Sequence, residues 1–317
     1  MSVEKKPLII LTGPTAVGKT ALSIQLAQSV NGEIISADSM QVYRHMDIGS
    51  AKIQPGEMQG VPHHMIDILE PSEEFNVVLF QKLVKECMKG IYERGHIPIL
   101  TGGTGFYIQA ILYDIDFTEN EENTVCRQEL ARIAREKGNT YLHDMLREVD
   151  EASADAIHEN NVKRVTRALE FYMLTGRKIS EHNETERAKE PAYQFCYFVL
   201  NDDRESLYHN IDERVDFMME NGLVDEVRAL KAAGCTKEMV SMQGLGYQEI
   251  FSFLDGEISL DRAVFLIKRN TRHFAKRQLT WFRREKEVLW IDKKEFLYDN
   301  QMILKYMLKT MDAKLII

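Results

Sequence analysis

The chain has 317 residues, 44% of them hydrophobic and 28% charged, with a net charge of −9, which is typical of an ordinary soluble protein with ample core. It has neither a run of about 18 apolar residues nor the apolar stretch and cleavage site of a secretory signal, so neither a membrane-spanning helix nor a secretory leader is expected. Its four cysteines are far apart, so zinc sites and disulfides are not indicated and a reduced, cytoplasmic setting is expected.

Strands and helices alternate over the first part of the chain. Short apolar runs predict buried parallel strands at "PLIILTG", "EIISADS" and "IPILTGGTG". Apolar residues at helical spacing predict a helix over "KTALSIQLAQSV", which stops at Asn31-Gly32, and another over "NVVLFQKLVKECMKGIYERG", which stops at Gly95. A third helix is predicted over "FYIQAILY". This alternation predicts an α/β fold with a parallel sheet core flanked by helices.

The pattern changes near residue 115. From there to Gly176 no strand is indicated, and the sequence predicts four helices in succession. An apolar strand, "YQFCYFVL", and a last strand, "EVLWID", return the pattern to α/β. We therefore expect a core formed by residues 1–114 and 190–317, interrupted by an all-helical insertion at 115–189.

The first strand leads into "GPTAVGKT", which has the spacing of a phosphate-binding P-loop and lies between a strand and a helix as that motif requires. Its backbone N–H groups and the following helix N-terminus can hold phosphate oxygens. Lys19 adds a positive charge, and the Thr20 hydroxyl is a candidate Mg²⁺ ligand. The motif predicts a phosphate-bearing ligand but leaves open whether phosphate is transferred, hydrolysed or displaced.

The neighbouring strands bring Asp38 and Thr104 to the same edge of the sheet, because open α/β sheets place their ligands at the carboxyl ends of their strands. The third strand ends in Thr101-Gly102-Gly103, where a P-loop ATPase would be expected to have an acid for its metal. Asp38 is the acid placed to face the loop from these strands. It could hold a metal, accept a proton from an incoming nucleophile, or serve only as a helix N-cap or turn residue.

Positive charge is concentrated in two segments despite the acidic total. A cluster of this kind can bind nucleic-acid phosphates, although a solvated helix face balanced by acids elsewhere is the alternative. The first segment contains Lys163, Arg164, Arg167, Arg177 and Lys178. The second, residues 262–286, has one acid, Glu285, against Arg262, Lys268, Arg269, Arg272, Lys276, Arg277, Arg283, Arg284 and Lys286.

Six segments in this order resemble the bacterial tRNA dimethylallyltransferase family, also called isopentenyl-tRNA transferases: "GPTAVGKT", "ISADSMQVYR", "HHMIDILEP", "TGGTGFYIQA", "RALEFYMLTG" and "KRQLTWFRRE". The resemblance implies transfer of a dimethylallyl group from dimethylallyl diphosphate to N6 of the adenosine immediately 3′ of a tRNA anticodon. It also implies Mg²⁺, a P-loop kinase-like core with a helical insertion that contacts the anticodon stem-loop, and a monomer.

The resemblance further assigns roles to individual residues. It makes Asp38 the proton acceptor and carries Arg214 onto the diphosphate beside Lys19 and Thr20, although Arg214 could instead be a surface arginine paired with Asp212 or Glu213. The implied diphosphate-binding residues are Gly13, Thr15, Ala16, Val17, Gly18, Lys19 and Thr20. The implied tRNA-binding residues are Asp38, Ser39, Met40, Gln41, Thr104, Arg127, Lys163, Arg164 and Arg167.

Three alternatives stay open beside this reading. A small-molecule or nucleotide kinase would use the P-loop for ATP, but it predicts a second acid on the third strand. A non-catalytic RNA-binding protein would not need Asp38. A relative that prenylates free adenine nucleotides would need less positive charge than this chain carries. The pair His63-His64 followed by Asp67 could suggest a metal site, but no further ligand at a useful spacing is evident, so a structural role or support of a neighbouring ligand is expected.

Overall fold

The computed structural model describes residues 5–117 and 124–317. These residues form two compact units that are described separately. The first unit comprises residues 1–111 and 193–317, and the second comprises residues 112–192.

The first unit is built on a six-stranded sheet in which every strand pairs with its neighbours in parallel. Its strands are β1 (Pro7–Thr12), β2 (Gly32–Ala37), β3 (His63–His64), β4 (Ile97–Gly102), β5 (Gln194–Asn201) and β6 (Val288–Asp292). The order across the sheet is β3-β2-β4-β1-β5-β6. The carboxyl ends of β1, β2 and β4 therefore meet at one edge, with Thr12 opposite Gly102 of β4.

Burial on both faces explains why the strands read as continuous apolar runs. All six residues of β2 are buried, and so are the six central residues of β5. A strand covered by helices on both sides has no solvated face, so the alternation typical of a half-exposed strand is absent. The predicted parallel α/β core is confirmed. The two-residue strand β3 was not predicted, because it is too short to produce a pattern.

Helices occupy most of the remaining described chain. They are α1 (Lys19–Val30), α2 (Val77–Glu93), α3 (Gly105–Leu112), α4 (Thr124–Lys137), α5 (Asn139–Val149), α6 (Glu151–Ala156), α7 (Val162–Thr175), α8 (Ile179–Ala188), α9 (Arg204–Glu220), α10 (Leu223–Ala232), α11 (Tyr247–Leu254), α12 (Leu260–Phe282) and α13 (Asn300–Ala313). Local signals set several of their ends. Asn31 adopts the left-handed conformation that closes α1, and the Asn76 side chain accepts hydrogen bonds from the first turn of α2.

The second unit contains helices α4 to α8 and has its own apolar core, in which Leu142, Leu146, Val165 and Leu169 are almost completely buried. Buried Asp150 accepts hydrogen bonds from Ser153 and Ser180, which ties α6 to α8. The sequence predicts four helices up to Gly176, and the structure has α4 to α7 there. Helix α8 is additional. Its residues are strongly polar, so their periodicity gives little signal.

Among residues 5–117 and 124–317, no helix is long and apolar enough to cross a membrane.

Candidate active site

A cleft of about 320 Å³ opens at the carboxyl ends of β1, β2 and β4. Open parallel sheets bind ligands at this position. All of its lining residues belong to the first unit. Its walls come from the P-loop, the segment after β2, the turn after β4, and helices α9 and α12.

The P-loop bends sharply into α1 because two of its glycines have backbone conformations that other residues rarely adopt. Gly13 has a φ of +149°, and a Cβ there would lie 2.5 Å from the Leu200 carbonyl oxygen of β5. Gly18 has a φ of +93° and forms the N-terminal boundary of α1. Gly13 and Val17 are buried. The loop residues that line the cleft are Thr15, Ala16, Gly18, Lys19 and Thr20.

Lys19 lies over the P-loop and is bonded to it. Its Nζ donates hydrogen bonds to the carbonyl oxygens of Gly13 and Pro14, at 3.0 and 2.8 Å. Desolvation by burial, reinforced by the positive charge of Arg214 and opposed by Asp38, lowers the pKa of Lys19 to about 7. An anion bound between the two cations would favour the charged ammonium, so the P-loop is electrostatically prepared for a phosphate group.

Arg214 projects from α9 into the same cleft. Burial lowers its pKa from the ordinary value, while the charge of Asp38 acts in the opposite direction. The alternative prediction, in which Arg214 is a surface residue paired with Asp212 or Glu213, is not what the structure has. Asp212 is bonded to Arg272 at 2.6 Å, and Glu213 lies 3.2 Å from His209. Within the described residues Arg214 has no ion-pair partner, so its guanidinium is available to a ligand.

Asp38, directly after β2, combines two roles with its two carboxylate oxygens. Oδ1 accepts hydrogen bonds from the backbone N–H groups of Met40 and Gln41, at 2.8 and 3.4 Å, which closes a turn. Oδ2 accepts no hydrogen bond from any residue in the part of the chain that the structure describes. The residue lines the cleft and interacts with the charges of Lys19 and Arg214. The turn role and a proton-accepting role are therefore compatible.

The other residues predicted beside Asp38 differ in their access to the cleft. Gln41 lines it, and its Oε1 accepts a hydrogen bond from the Ser36 hydroxyl at 2.9 Å. Ser39 and Met40 are half-buried and lie outside the cleft lining, and Met40 packs against Gly244. Thr104 is also outside the lining. Its backbone N–H donates to the Ala37 carbonyl, and its own carbonyl accepts from the first turn of α3.

One part of the cleft is apolar. Ile34, Ile53 and Ile66 line it and belong to one apolar cluster, and Phe274 of α12 and His63 are further residues of the cleft lining. The Nδ1–H of His63 donates to the Val61 carbonyl at 2.8 Å, and burial lowers the pKa of this histidine. A neutral ring and aliphatic side chains suit a hydrocarbon group, so the lining of the cleft combines charged groups with apolar ones.

Gln278 of α12 is a lining residue that the sequence prediction missed. Its side-chain amide joins the P-loop to the turn after β4 through two hydrogen bonds. The detectable signal was its position, because Gln278 shares the buried face of α12 with Ala263, Ile267, Ala275 and Phe282. A polar residue on an apolar helix face is unusual and needs partners. Its partners are far away along the chain, so the sequence does not identify them.

The predicted tRNA-binding residues Arg127, Lys163, Arg164 and Arg167 belong to the second unit. Lys163, Arg164 and Arg167 are exposed on α7, as their helical spacing predicts. The Nε of Arg127 instead bonds both oxygens of Glu170 at 2.9 Å. Because Glu170 is buried, this pair neutralises a carboxylate inside the second unit.

His64 and Asp67 have structural partners in the first unit. His64 is bonded to buried Glu33 at 2.6 Å, and Asp67 accepts a hydrogen bond from Lys52 at 2.5 Å. No group of three or more histidine, cysteine, aspartate or glutamate side chains suited to a metal occurs among the residues that the structure covers.

Part of the basic segment 262–286 is neutralised within the first unit. Lys268 bonds Asp216 at 2.6 Å, and Arg272 bonds Asp212. The remaining exposed basic residues of the segment are Arg262, Lys276, Arg277, Arg283, Arg284 and Lys286. This part of the surface is therefore basic although the whole chain is acidic.

An all-parallel α/β sheet whose P-loop, lysine and arginine face one carboxylate defines a P-loop protein with a site for a phosphate-bearing ligand. A family model described as IPP transferase matches residues 41–285. The chain is 59% identical to the tRNA dimethylallyltransferase of Lachnoclostridium phytofermentans, over 98% of this chain and 99% of that protein. It is 53% identical to the tRNA dimethylallyltransferase of Carboxydothermus hydrogenoformans, over 90% of this chain and 91% of that protein. The chain belongs to the IPP transferase family.

Solved structures agree with this membership. The tRNA isopentenylpyrophosphate transferase of Bacillus halodurans superimposes with a TM-score of 0.73 at 42% identity, covering 98% of both chains. A eukaryotic dimethylallyltransferase described as acting on tRNA superimposes with a TM-score of 0.78 at 30% identity, over 90% of this chain and 74% of that one.

Proposed function

We propose that this protein transfers the dimethylallyl group of dimethylallyl diphosphate to N6 of the adenosine immediately 3′ of a tRNA anticodon, releasing diphosphate. The observation that carries the proposal is the composition of one cleft. It combines a P-loop, two cations, an apolar pocket and a carboxylate with an unused oxygen. Family membership and the names of the relatives support the same reaction.

The charged region suits a leaving group. Displacement of diphosphate from an allylic carbon increases negative charge on the departing oxygens. Lys19, Arg214 and the P-loop N–H groups are already placed where such charge can be stabilised. The apolar region formed by Ile34, Ile53 and Ile66 suits the five-carbon chain that remains behind.

Asp38 is the proton acceptor in this proposal. The exocyclic amine of adenine is a weak nucleophile and loses a proton as its bond to the allylic carbon forms. Oδ1 is held in the turn by Met40 and Gln41, which fixes the carboxylate, while Oδ2 can take the proton. Because no phosphoryl group moves, the reaction needs no residue that positions water for attack on phosphorus.

The cleft has oxygen donors that fit Mg²⁺. Magnesium keeps several waters and is commonly held by one or two protein oxygens together with phosphate oxygens. Thr20 and Asp38 both line the cleft and supply a hydroxyl and a carboxylate. We include Mg²⁺ in the proposal, with Thr20 as its candidate protein ligand. When bound, it would neutralise charge on the diphosphate.

The tRNA-binding surface in this proposal includes the exposed α7 residues Lys163, Arg164 and Arg167. Three basic side chains on one helical face can contact phosphates on the anticodon stem. The exposed basic residues of segment 262–286 provide a further source of positive charge. A free adenine nucleotide would not need so many cations.

The kinase alternative is less consistent with the sheet edge. A P-loop kinase would be expected to have a second acid, besides Asp38, at the end of β4, but β4 ends in Thr101 and Gly102 and continues into Gly103. Incubation with unmodified tRNA, Mg²⁺ and dimethylallyl diphosphate, followed by nucleoside mass spectrometry, tests the proposal. We expect N6-dimethylallyladenosine. Unchanged tRNA, together with ATP-dependent phosphorylation of a small molecule, would contradict it.

A further inference from the structure

We propose that Gln278 is a positioning residue for prenyl transfer, which sets the spacing between the diphosphate-binding loop and the turn beside the acceptor site. This inference rests on the proposed function. Gln278 lies in the cleft wall but belongs neither to the P-loop nor to the proton-accepting group.

The oxygen and the nitrogen of the Gln278 side-chain amide form hydrogen bonds with two different segments of the cleft wall. The backbone N–H of Thr15 in the P-loop donates to Gln278 Oε1 at 2.9 Å. Gln278 Nε2 donates to the carbonyl oxygen of Gly103, in the turn after β4, at 3.0 Å. The side chain is almost completely buried, with 6% of the residue exposed. One buried amide therefore spans segments that are distant in sequence but adjacent at the sheet edge.

Close packing keeps this bridge in place. A Cβ atom at Gly103 would collide with Gln278 Nε2, so a side chain at this position would displace the amide that forms the bridge. One helical turn later, the ring of Trp281 occupies the space where a side chain on Gly105 would lie. The Trp281 ring also makes an edge contact with Phe106, at 6.3 Å between centroids. Helix α12 therefore packs directly against the turn that follows β4.

The same turn is connected to the segment that carries Asp38. The Thr104 N–H donates to the carbonyl oxygen of Ala37, the last residue of β2, at 3.3 Å. Gln278 therefore links the loop that would hold the leaving group to the segment that would receive the adenine. The transfer needs the amine, the allylic carbon and the leaving oxygen in line, and a displacement of about 1 Å can cost a large factor in rate.

Loss of the bridge should reduce kcat more than it changes KM. In Gln278→Met the side-chain volume is nearly kept while both hydrogen bonds are lost. We expect kcat to fall by about tenfold or more, with KM for dimethylallyl diphosphate and for tRNA within about threefold of wild type.

Gln81→Met is the matched control. Gln81 is also buried in the first unit, and its amide donates to the Ala110 carbonyl at 2.8 Å, but it does not line the cleft. Removing this amide should lower stability in a comparable way and leave kcat within about twofold of wild type.

Gln278→Glu supplies a readout that a general loss of packing would not produce. A protonated glutamic acid has an acceptor for the Thr15 N–H and an O–H donor for the Gly103 carbonyl, whereas the carboxylate has no donor. The ratio of the kcat of Gln278→Glu to that of wild type should therefore rise as the pH is lowered from about 8 to about 6. Dividing by the wild-type value at each pH removes the titration of the other groups.

Four results would separate a failure of the proposed function from a failure of the role of Gln278. A wild-type enzyme that forms no prenylated tRNA would contradict the proposed function itself. With an active wild type, a kcat for Gln278→Met equal to that of Gln81→Met would overturn the role of Gln278. An increase in KM at unchanged kcat, or a pH-independent ratio for Gln278→Glu, would also overturn it.

Discussion

Two carboxylates at strand β2 have different surroundings. Glu33 lies near the start of the strand, and Asp38 follows its last residue. Glu33 is buried, and its two oxygens are bonded to Arg94, His64 and His96 at 2.6 to 2.8 Å. Asp38 has one oxygen in a turn and one with no partner among the described residues. Both oxygens of Glu33 are used in hydrogen bonds that join β2 to its neighbours. Asp38 has one oxygen without such a bond and can still accept a proton.

The adjacent histidines of β3 show the same difference. His64 is bonded to Glu33 at the fully paired cluster, while His63 contributes its ring to the cleft. Neighbouring residues on a strand point to opposite faces. Two identical residues in one dipeptide therefore serve different purposes, and a count of titratable groups in the sequence does not separate structure from function.

Asp38→Asn should have the largest effect. Asparagine keeps an Oδ1 for the Met40 N–H, so the turn should persist, but it cannot accept the proton. We expect the single-turnover rate to fall by on the order of 10³-fold, with tRNA affinity and melting temperature nearly unchanged. Rapid-quench kinetics and a tRNA-binding titration would measure this, and a rate within about tenfold of wild type would disprove the proton-accepting role.

Glu33→Gln should show the reverse pattern. Arg94, His64 and His96 would lose their charged partner, so the free energy of unfolding should fall by about 2 kcal/mol at neutral pH. Activity well below the melting temperature should stay within about twofold of wild type. Urea denaturation would measure the loss of stability, and the same kinetic assay would measure activity. A large loss of activity in a stable variant would contradict a purely structural role for Glu33.

The stability difference at Glu33 should depend on acid pH. Hydrogen bonds from Arg94, opposed by burial and assisted by His64 and His96, lower the pKa of Glu33 from 4.5 to about 2. Its contribution is therefore fully present above pH 4.5 and is lost as the pH falls toward 2. The difference in unfolding free energy between wild type and Glu33→Gln should shrink below pH 4.5. A constant difference would show that packing, not charge, is responsible.

Lys19→Arg tests the cations that face Asp38. Because the pKa of Lys19 is about 7 in the protein without ligand, its ammonium is lost as the pH rises through neutrality. An arginine stays charged. The affinity of wild type for inorganic diphosphate, divided by that of Lys19→Arg, should fall by up to about tenfold per pH unit above 7. Calorimetric titrations across this range would show it, and a flat ratio would mean that Lys19 remains charged.

The combined change Arg164→Ala and Arg167→Ala should have the smallest effect. Each arginine would contribute one phosphate contact, so tRNA affinity should decrease and its salt-dependence slope should become shallower by about 2. Arg132→Ala is the control, because Arg132 is an exposed arginine on α4 that is paired with Glu129 and Glu136. Filter binding at several salt concentrations would measure both. Equal salt-dependence slopes in the two variants would show that α7 does not belong to the RNA-binding surface.

Much of the fold could be predicted from local sequence. The strand-to-helix P-loop, the apolar strands and the Asn31 stop are determined by neighbouring residues, and the structure contains each of them. The position of Asp38 beside the P-loop also followed from the rule that ligands bind at the carboxyl ends of parallel strands.

What could not be predicted depends on distant partners. Glu33 directly precedes the apolar pair Ile34-Ile35, and only the folded sheet brings His64, Arg94 and His96 to it. The role of Gln278 likewise depends on contacts with Thr15 and Gly103. The pairing of Arg272 with Asp212, which leaves Arg214 to the cleft, is set by helix packing that the spacing of charges does not reveal.

In the proposed reaction the P-loop holds a departing diphosphate and transfers no phosphoryl group. Phosphorus NMR of a reaction with dimethylallyl diphosphate and unmodified tRNA, read alongside the nucleoside product, tests it directly. We expect one inorganic diphosphate for each dimethylallyladenosine formed, with no orthophosphate and no phosphorylated RNA. Release of orthophosphate, or a phosphorylated product in place of the alkylated base, would contradict it.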